Sequence, residues 1–173
     1  RALTAAQVLD IGRKKKVVAG IVNQAVVIAA GIGATPIPFT DAALLIPNQV
    51  TMIARITAAY GLPPSRSRAM AAAGSIILTG GATMAGKYAV TNLMKLVPGG
   101  AIAGSAISAA VAASLTKAVG LAWSRVCEYA VSLPDDQRDR FLESSEVTQK
   151  FVGFMKAGGV ASAFGGLGRK GGS

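Results

Sequence analysis

The chain has 173 residues, 51% of them apolar but only 5% aromatic, with 21 glycines and a net charge of +10. That length fits one domain, and apolar content built from Ala, Val, Ile and Leu suits helices whose backbones approach closely. With no His and one cysteine, Cys127, the composition excludes Ser-His and Cys-His catalysis, an intrachain disulfide and the common metal-ligand spacings.

The charges are unevenly placed. No acid occurs between Asp41 and Glu128, while Arg55, Arg66, Arg68, Lys87, Lys95, Lys117 and Arg125 all lie there; six of the eight acids fall from Glu128 to Glu146. An acid-free centre is drawn to anionic surfaces. The bases stand singly beside apolar runs instead of forming a stripe interleaved with aromatics, which favours lipid headgroups over nucleic acid. Arg1 in place of Met leads us to expect an upstream domain or a cleaved targeting segment.

In chain order, residues 1–16 read as a basic lead-in helix ending in Arg13-Lys14-Lys15-Lys16. Four such bases near an anionic leaflet contribute about 4 kcal/mol. Residues 17–131 read as a small-residue domain of two apolar, Gly/Ala-rich helical hairpins, about four helices in all. The first helix, Val17 to Ile32, is interrupted by Asn23-Gln24 and stopped by Gly31, Gly33, Pro36 and Pro38. The second starts at Thr40, with Phe39 and Leu44 spaced as a hydrophobic staple, is kinked by Pro47 and ends at Gly61 before Pro63-Pro64.

A third helix is expected from Ser65 through Met94, weakened at Gly80-Gly81, and a Pro-Gly corner follows over 95–100. The fourth runs from about Ala101 to Tyr129. Residues 132–157 then read as one amphipathic polar helix, opened by the capping-box-like Ser132-Leu133-Pro134-Asp135 and anchored by Phe141, Leu142, Phe151 and Phe154. Residues 158–173 read as a Gly-rich flexible tail. The fold class is all-α.

The best candidate span on these grounds is Leu96 to Thr116, free of charge and about long enough to cross a bilayer. Its apolar residues are offset by Pro98, Ser, Thr and Gly, so insertion is expected as a packed hairpin rather than a lone helix. Gly100, Gly104, Ser108, Ala112, Thr116 and Gly120 recur every four residues as a helix-packing ridge, with Ile107, Val111, Leu115 and Val119 as the bulky ridge beside it. Lys87, Lys95 and Lys117 join the Arg13–Lys16 run as expected membrane-surface residues.

Other motifs carry less. Gly81 to Lys87 spells the start of a phosphate-binding loop, but Tyr88 stands where Ser or Thr should reach the metal and no strand precedes it. Gly166-Leu167-Gly168 and Gly171 satisfy a dinucleotide pattern inside the Gly-rich tail. Asp135, Asp136, Asp139, Glu143 and Glu146 read as a solvated helix face. Asp41 and Gln49, eight residues apart on the apolar side of the second helix, are expected to pair across the hairpin or to meet a partner, with Arg55 or Lys95 as a charge partner.

The strings ATPIPFTDAALLIPNQVTMIARITAAYG, LTGGATMAGK, NLMKLVPGG and SLTKAVG resemble the helical domain of unknown function found C-terminal to bacterial Era-like GTPases and in YcjF-type inner-membrane proteins. The resemblance runs from about Leu9 to Met155 and rests most on Pro36, Pro38, Asp41, Leu45, Gln49, Met52 and Ile53. It implies an all-helical, membrane-associated, non-enzymatic module that anchors or regulates a GTPase; the residues themselves lead us to expect neither cofactor nor metal. The chain departs from the pattern at Pro98-Gly99-Gly100-Ala101, where relatives often read Pro-Gly-x-Gly, and it carries no GTPase motif. The expected partners are anionic lipids and a GTPase domain or other protein subunits, at a bacterial inner membrane or, after a cleaved targeting segment, an organellar one. The rival reading is an accessory structural subunit of a large membrane complex; a pore-forming hairpin protein is a third.

Overall fold

The computed structural model describes residues 2–34, 40–63, 104–155 and 157, and all of its regular structure is helical. The described helices are α1 (Ala2–Ala34), α2 (Thr40–Ala59), α3 (Gly104–Ser132), α4 (Asp135–Glu143) and α5 (Glu146–Phe154). The all-α expectation holds. The expected third helix, the 95–100 corner, the phosphate-loop-like segment and the Gly-rich tail lie outside the described residues.

The lead-in and the first apolar segment form a single unbroken helix, α1. Lys and Arg are good helix formers, and the Lys14–Asp10 ion pair (2.8 Å) stitches successive turns just before the apolar run begins. The helix continues through Gly31 and Gly33 to Ala34, because glycine weakens a helix where proline would break it. α2 keeps Pro47 inside it and ends on Gly61, whose φ of 75° is open only to a residue without a Cβ strain penalty. The Gly61 amide donates to the Ala58 carbonyl (2.9 Å) and the Leu62 amide to that of Thr57 (3.1 Å), a Schellman close that leaves Leu62 buried.

α1, α2 and α3 share one core. Lys15 faces Glu128 and Val22 faces Gly120, so α1 and α3 run antiparallel. Met52 meets Gly120, Thr57 meets Trp123 and Tyr60 meets Glu128, so α2 runs parallel to α3. Val18, Ile21, Val22 and Ala25 of α1 close on Met52, Ile53 and Ile56 of α2 and on Leu115, Val119, Trp123 and Val126 of α3. The described end of the expected span Leu96–Thr116 is therefore core: Ala112, Leu115 and Thr116 are buried against protein.

The expected amphipathic helix over 132–157 is instead two short helices. Ser144 breaks it: its amide and its hydroxyl both donate to the Phe141 carbonyl (3.1 and 2.9 Å), and its Oγ accepts from the Glu146 amide (3.2 Å). Serine here offers the backbone an alternative to helix. The capping box also fails to form. Ser132 Oγ donates back to the Tyr129 carbonyl (2.7 Å), and Pro134 takes the N-cap position of α4 with no side-chain cap.

α4 and α5 fold back on α3. Phe141 meets Tyr129 edge-on (5.1 Å between centroids) and Phe151 meets Trp123 (6.0 Å). Arg138 closes the C-terminal end of α3, donating from Nε to the Ala130 carbonyl (3.2 Å) and from Nη2 to that of Leu133 (3.0 Å) while pairing with Asp135 (2.8 Å). A cation there complements the helix dipole and satisfies carbonyls that the helix leaves open.

Candidate functional site

Two features on the three-helix core stand out, and α1 belongs to both. The first is a polar seam where α2 and α3 meet. Trp123 Nε1 donates to Thr57 Oγ1 (2.9 Å), and Thr57 passes its own proton to the Ile53 carbonyl (2.8 Å). One turn on, the Tyr60 hydroxyl donates to Glu128 Oε1 (2.9 Å) and lies 2.9 Å from Ser124 Oγ. A phenol has one proton, so Ser124 is the donor in that second bond. Lys15 of α1 reaches the other oxygen of Glu128 (3.5 Å) from the solvent side.

Burial beside this seam keeps two groups protonated, the Tyr60 hydroxyl and the Cys127 thiol. Burial raises the Tyr60 hydroxyl well above the ordinary phenol range, against the Ser124 hydrogen bond and with help from Glu128. The Cys127 thiol is pushed up to about 12, mainly by burial, against the opposing influence of the Thr57 hydroxyl. A protonated thiol without access to solvent is a poor nucleophile and a poor metal ligand. Among the described residues no group of three His, Cys, Asp or Glu side chains could hold a metal ion.

The second feature is the outer side of α1. Its inner stripe, Val18, Ile21, Val22, Ala25 and Ala29, is at most 8% exposed. The opposite stripe carries no charge after Lys16, yet Val17 is 52% exposed, Val27 71% and Ile28 47%. Gly20, Gln24 and Gly31 complete that stripe at helical spacing and are also exposed. Arg13, Lys15 and Lys16 are exposed at its N-terminal end, and Lys14 is half-buried in its pairing with Asp10. Among the described residues one helix, Asp10–Ala34, is long and apolar enough to cross a bilayer.

The remaining expected site residues fall into place as follows. Of the small-residue ridge, Ala112, Thr116 and Gly120 are buried, and a Cβ on Gly120 would come 2.7 Å from a Val22 methyl and 3.1 Å from Met52 Sδ. The surroundings of Gly104 and Ser108, and all of Gly100, lie outside the described residues, as do Lys87 and Lys95. Lys117 is exposed.

Gln49 is 1% exposed, on the face with Met52, Ile53, Ile56 and Tyr60; among the described residues its Oε1 lacks a hydrogen-bond partner, as does Thr116 Oγ1. The side chain of Asp41 lies outside the described residues. Arg55 donates from the surface to Gln24 Oε1 of α1 (2.6 Å), and its expected pairing with Asp41 lies outside the described residues. The bond that crosses from α2 to the backbone of α1 comes from Asn48, whose Nδ2 donates to the Ala25 carbonyl (2.9 Å).

Sequence reasoning missed the Tyr60–Glu128–Lys15 chain. Its signal was Glu128 itself, the lone acid of α3, where an unpaired carboxylate would be costly. The family model of a domain of unknown function (DUF697) matches residues 3–153 of the chain. No curated protein and no solved structure matches it.

Proposed function

We propose that this chain, which belongs to the DUF697 family, is a non-enzymatic helical module that docks on an anionic membrane surface and holds a partner protein there. The observation that supports this most is the outer stripe of α1: exposed Val17, Val27 and Ile28 in a charge-free run that starts directly after exposed Arg13, Lys15 and Lys16. An apolar stripe beside a basic collar meets both demands of an acidic bilayer surface, hydrocarbon contact and charge neutralisation. Apolar side chains left in water are otherwise a liability to a folded protein.

Flotation with vesicles containing phosphatidylglycerol tests the reading. The protein should float with them at low ionic strength, float less as salt rises, and remain below with pure phosphatidylcholine. A protein that stays in the soluble fraction with acidic vesicles at low salt overturns it.

A GTPase domain is the partner suggested by the resemblance in the helical strings. Identifying what stays bound after mild detergent extraction tests that part separately. Recovery of a GTPase supports an anchor or regulator, whereas recovery of stable subunits of another kind favours the accessory-subunit reading.

A further inference from the structure

We infer that α1 seats in the plane of the membrane interface and does not cross the bilayer, with its outer stripe facing the acyl chains of anionic lipids. This rests on the membrane-docking reading and gives it an orientation. The inner stripe of α1 is already committed, since Val18, Ile21, Val22, Ala25 and Ala29 are sealed against protein. A lone crossing by α1 would have to open that core. If α1 crossed at all, α2 and α3 would go with it.

The two flanking helices forbid that. Arg55 of α2 is exposed and bonded to Gln24. On α3, Gly120 lies against Val22 and the helices are antiparallel, so Lys117, one turn from Gly120, stands level with about Ala25. Lys117 is exposed too. Gln24 and Ala25 lie about 12–14 Å along α1 from Lys16, at 1.5 Å per residue. With the basic collar at one headgroup layer, both cations would sit near the middle of a hydrocarbon core about 30 Å thick. Charged side chains on the lipid-facing surface at that depth are strongly disfavoured.

Laid flat, the same bundle has no such conflict. Arg55 reaches the edge of the stripe at Gln24 and stays in the headgroup layer, where the collar of Arg13, Lys15 and Lys16 also lies. Long cationic side chains beside an apolar face can keep their charged ends in water or among phosphates. The stripe itself enters only the boundary between headgroups and acyl chains, as interfacial helices do.

Depth-dependent fluorescence quenching tests this on the full chain. Val17→Cys and Val27→Cys each carry an environment-sensitive label, and both sites are exposed, so the fold should tolerate them. The unsubstituted protein, whose Cys127 is buried, serves as the unlabelled control. Acidic vesicles are prepared with lipids brominated either high or deep in the acyl chain. In-plane seating gives the same profile at both positions, with the larger loss of emission from the shallow bromines. A label at Val27 quenched most by deep bromines, beside a Val17 label quenched most by shallow ones, overturns in-plane seating while leaving membrane docking intact. No quenching and no flotation overturns both.

Discussion

Val22 of α1 touches the backbone of α3 at Gly120, so closely that a methyl group added there would meet a valine methyl at 2.7 Å. Met52 of α2 closes the same point from the third side, 3.1 Å away. All three core helices converge on one hydrogen atom.

Gly120→Ala is therefore expected to destabilise the fold by about 1–3 kcal/mol, the usual range for overpacking a filled core. This should win over the gain in helix propensity, which is about 1 kcal/mol in the opposite direction. Urea unfolding measures it. Adding Val22→Ala to Gly120→Ala should recover part of the loss, a non-additivity that the two separate changes do not show.

Cys127 ties stability to alkaline pH. Its thiol is pushed from 9.0 in the unfolded chain up to about 12 in the folded one. A raised folded-state value gives stability that is full below the unfolded pKa and is lost as pH rises through the window from 9 to 12. The slope within it is about 1.4 kcal/mol per pH unit. Comparing urea unfolding of the native chain with Cys127→Ser at pH 8 and pH 11 isolates this part, and the native chain should lose more. At pH 8 a thiol reagent should label Cys127 only as fast as the protein unfolds.

Tyr60→Phe removes the donor to Glu128 and the acceptor of Ser124 in one step, without changing the shape of the ring. Leaving these two groups short of partners should cost about 1–3 kcal/mol. Thr116→Val points the other way. Its hydroxyl is buried without a partner among the described residues, so the swap should be neutral or stabilising by up to about 1 kcal/mol. Thermal or urea unfolding of both variants checks the pair.

Membrane affinity should divide between charge and apolar contact. Replacing Arg13, Lys15 and Lys16 together by Gln removes three exposed bases at about 1 kcal/mol each, which weakens binding to acidic vesicles roughly a hundredfold. Val27→Gln should weaken binding at every salt concentration, because its contribution is not electrostatic, and should leave unfolding unchanged. Vesicle titrations at two ionic strengths separate the two classes.

Much of the fold was legible because it rests on local rules. Gly61 before Pro63-Pro64 marked the end of α2, and the four-residue recurrence of Ala112, Thr116 and Gly120 marked a surface that proved to be buried. The boundaries failed where side chains compete for the backbone, as at Ser132 and Ser144. Partners were not legible where pairing is tertiary. Nothing in spacing alone tells that Arg55 reaches Gln24 thirty-one residues away, or that Tyr60 finds Glu128 across sixty-eight. The outer stripe was hidden for a related reason: α1 is apolar on both sides, so periodicity could not say which side the protein keeps for itself.

That two-sidedness means two different filters act on one helix. A library of α1 variants sorted only for folding would hold Val18, Val22 and Ala25 nearly fixed and let Val17, Val27 and Ile28 drift toward Lys, Glu and Ser, improving solubility as they went. If α1 docks as proposed, the same library sorted for work in the cell would refuse those substitutions. The difference between the two surviving populations, position by position, would trace the footprint of whatever α1 touches outside the protein.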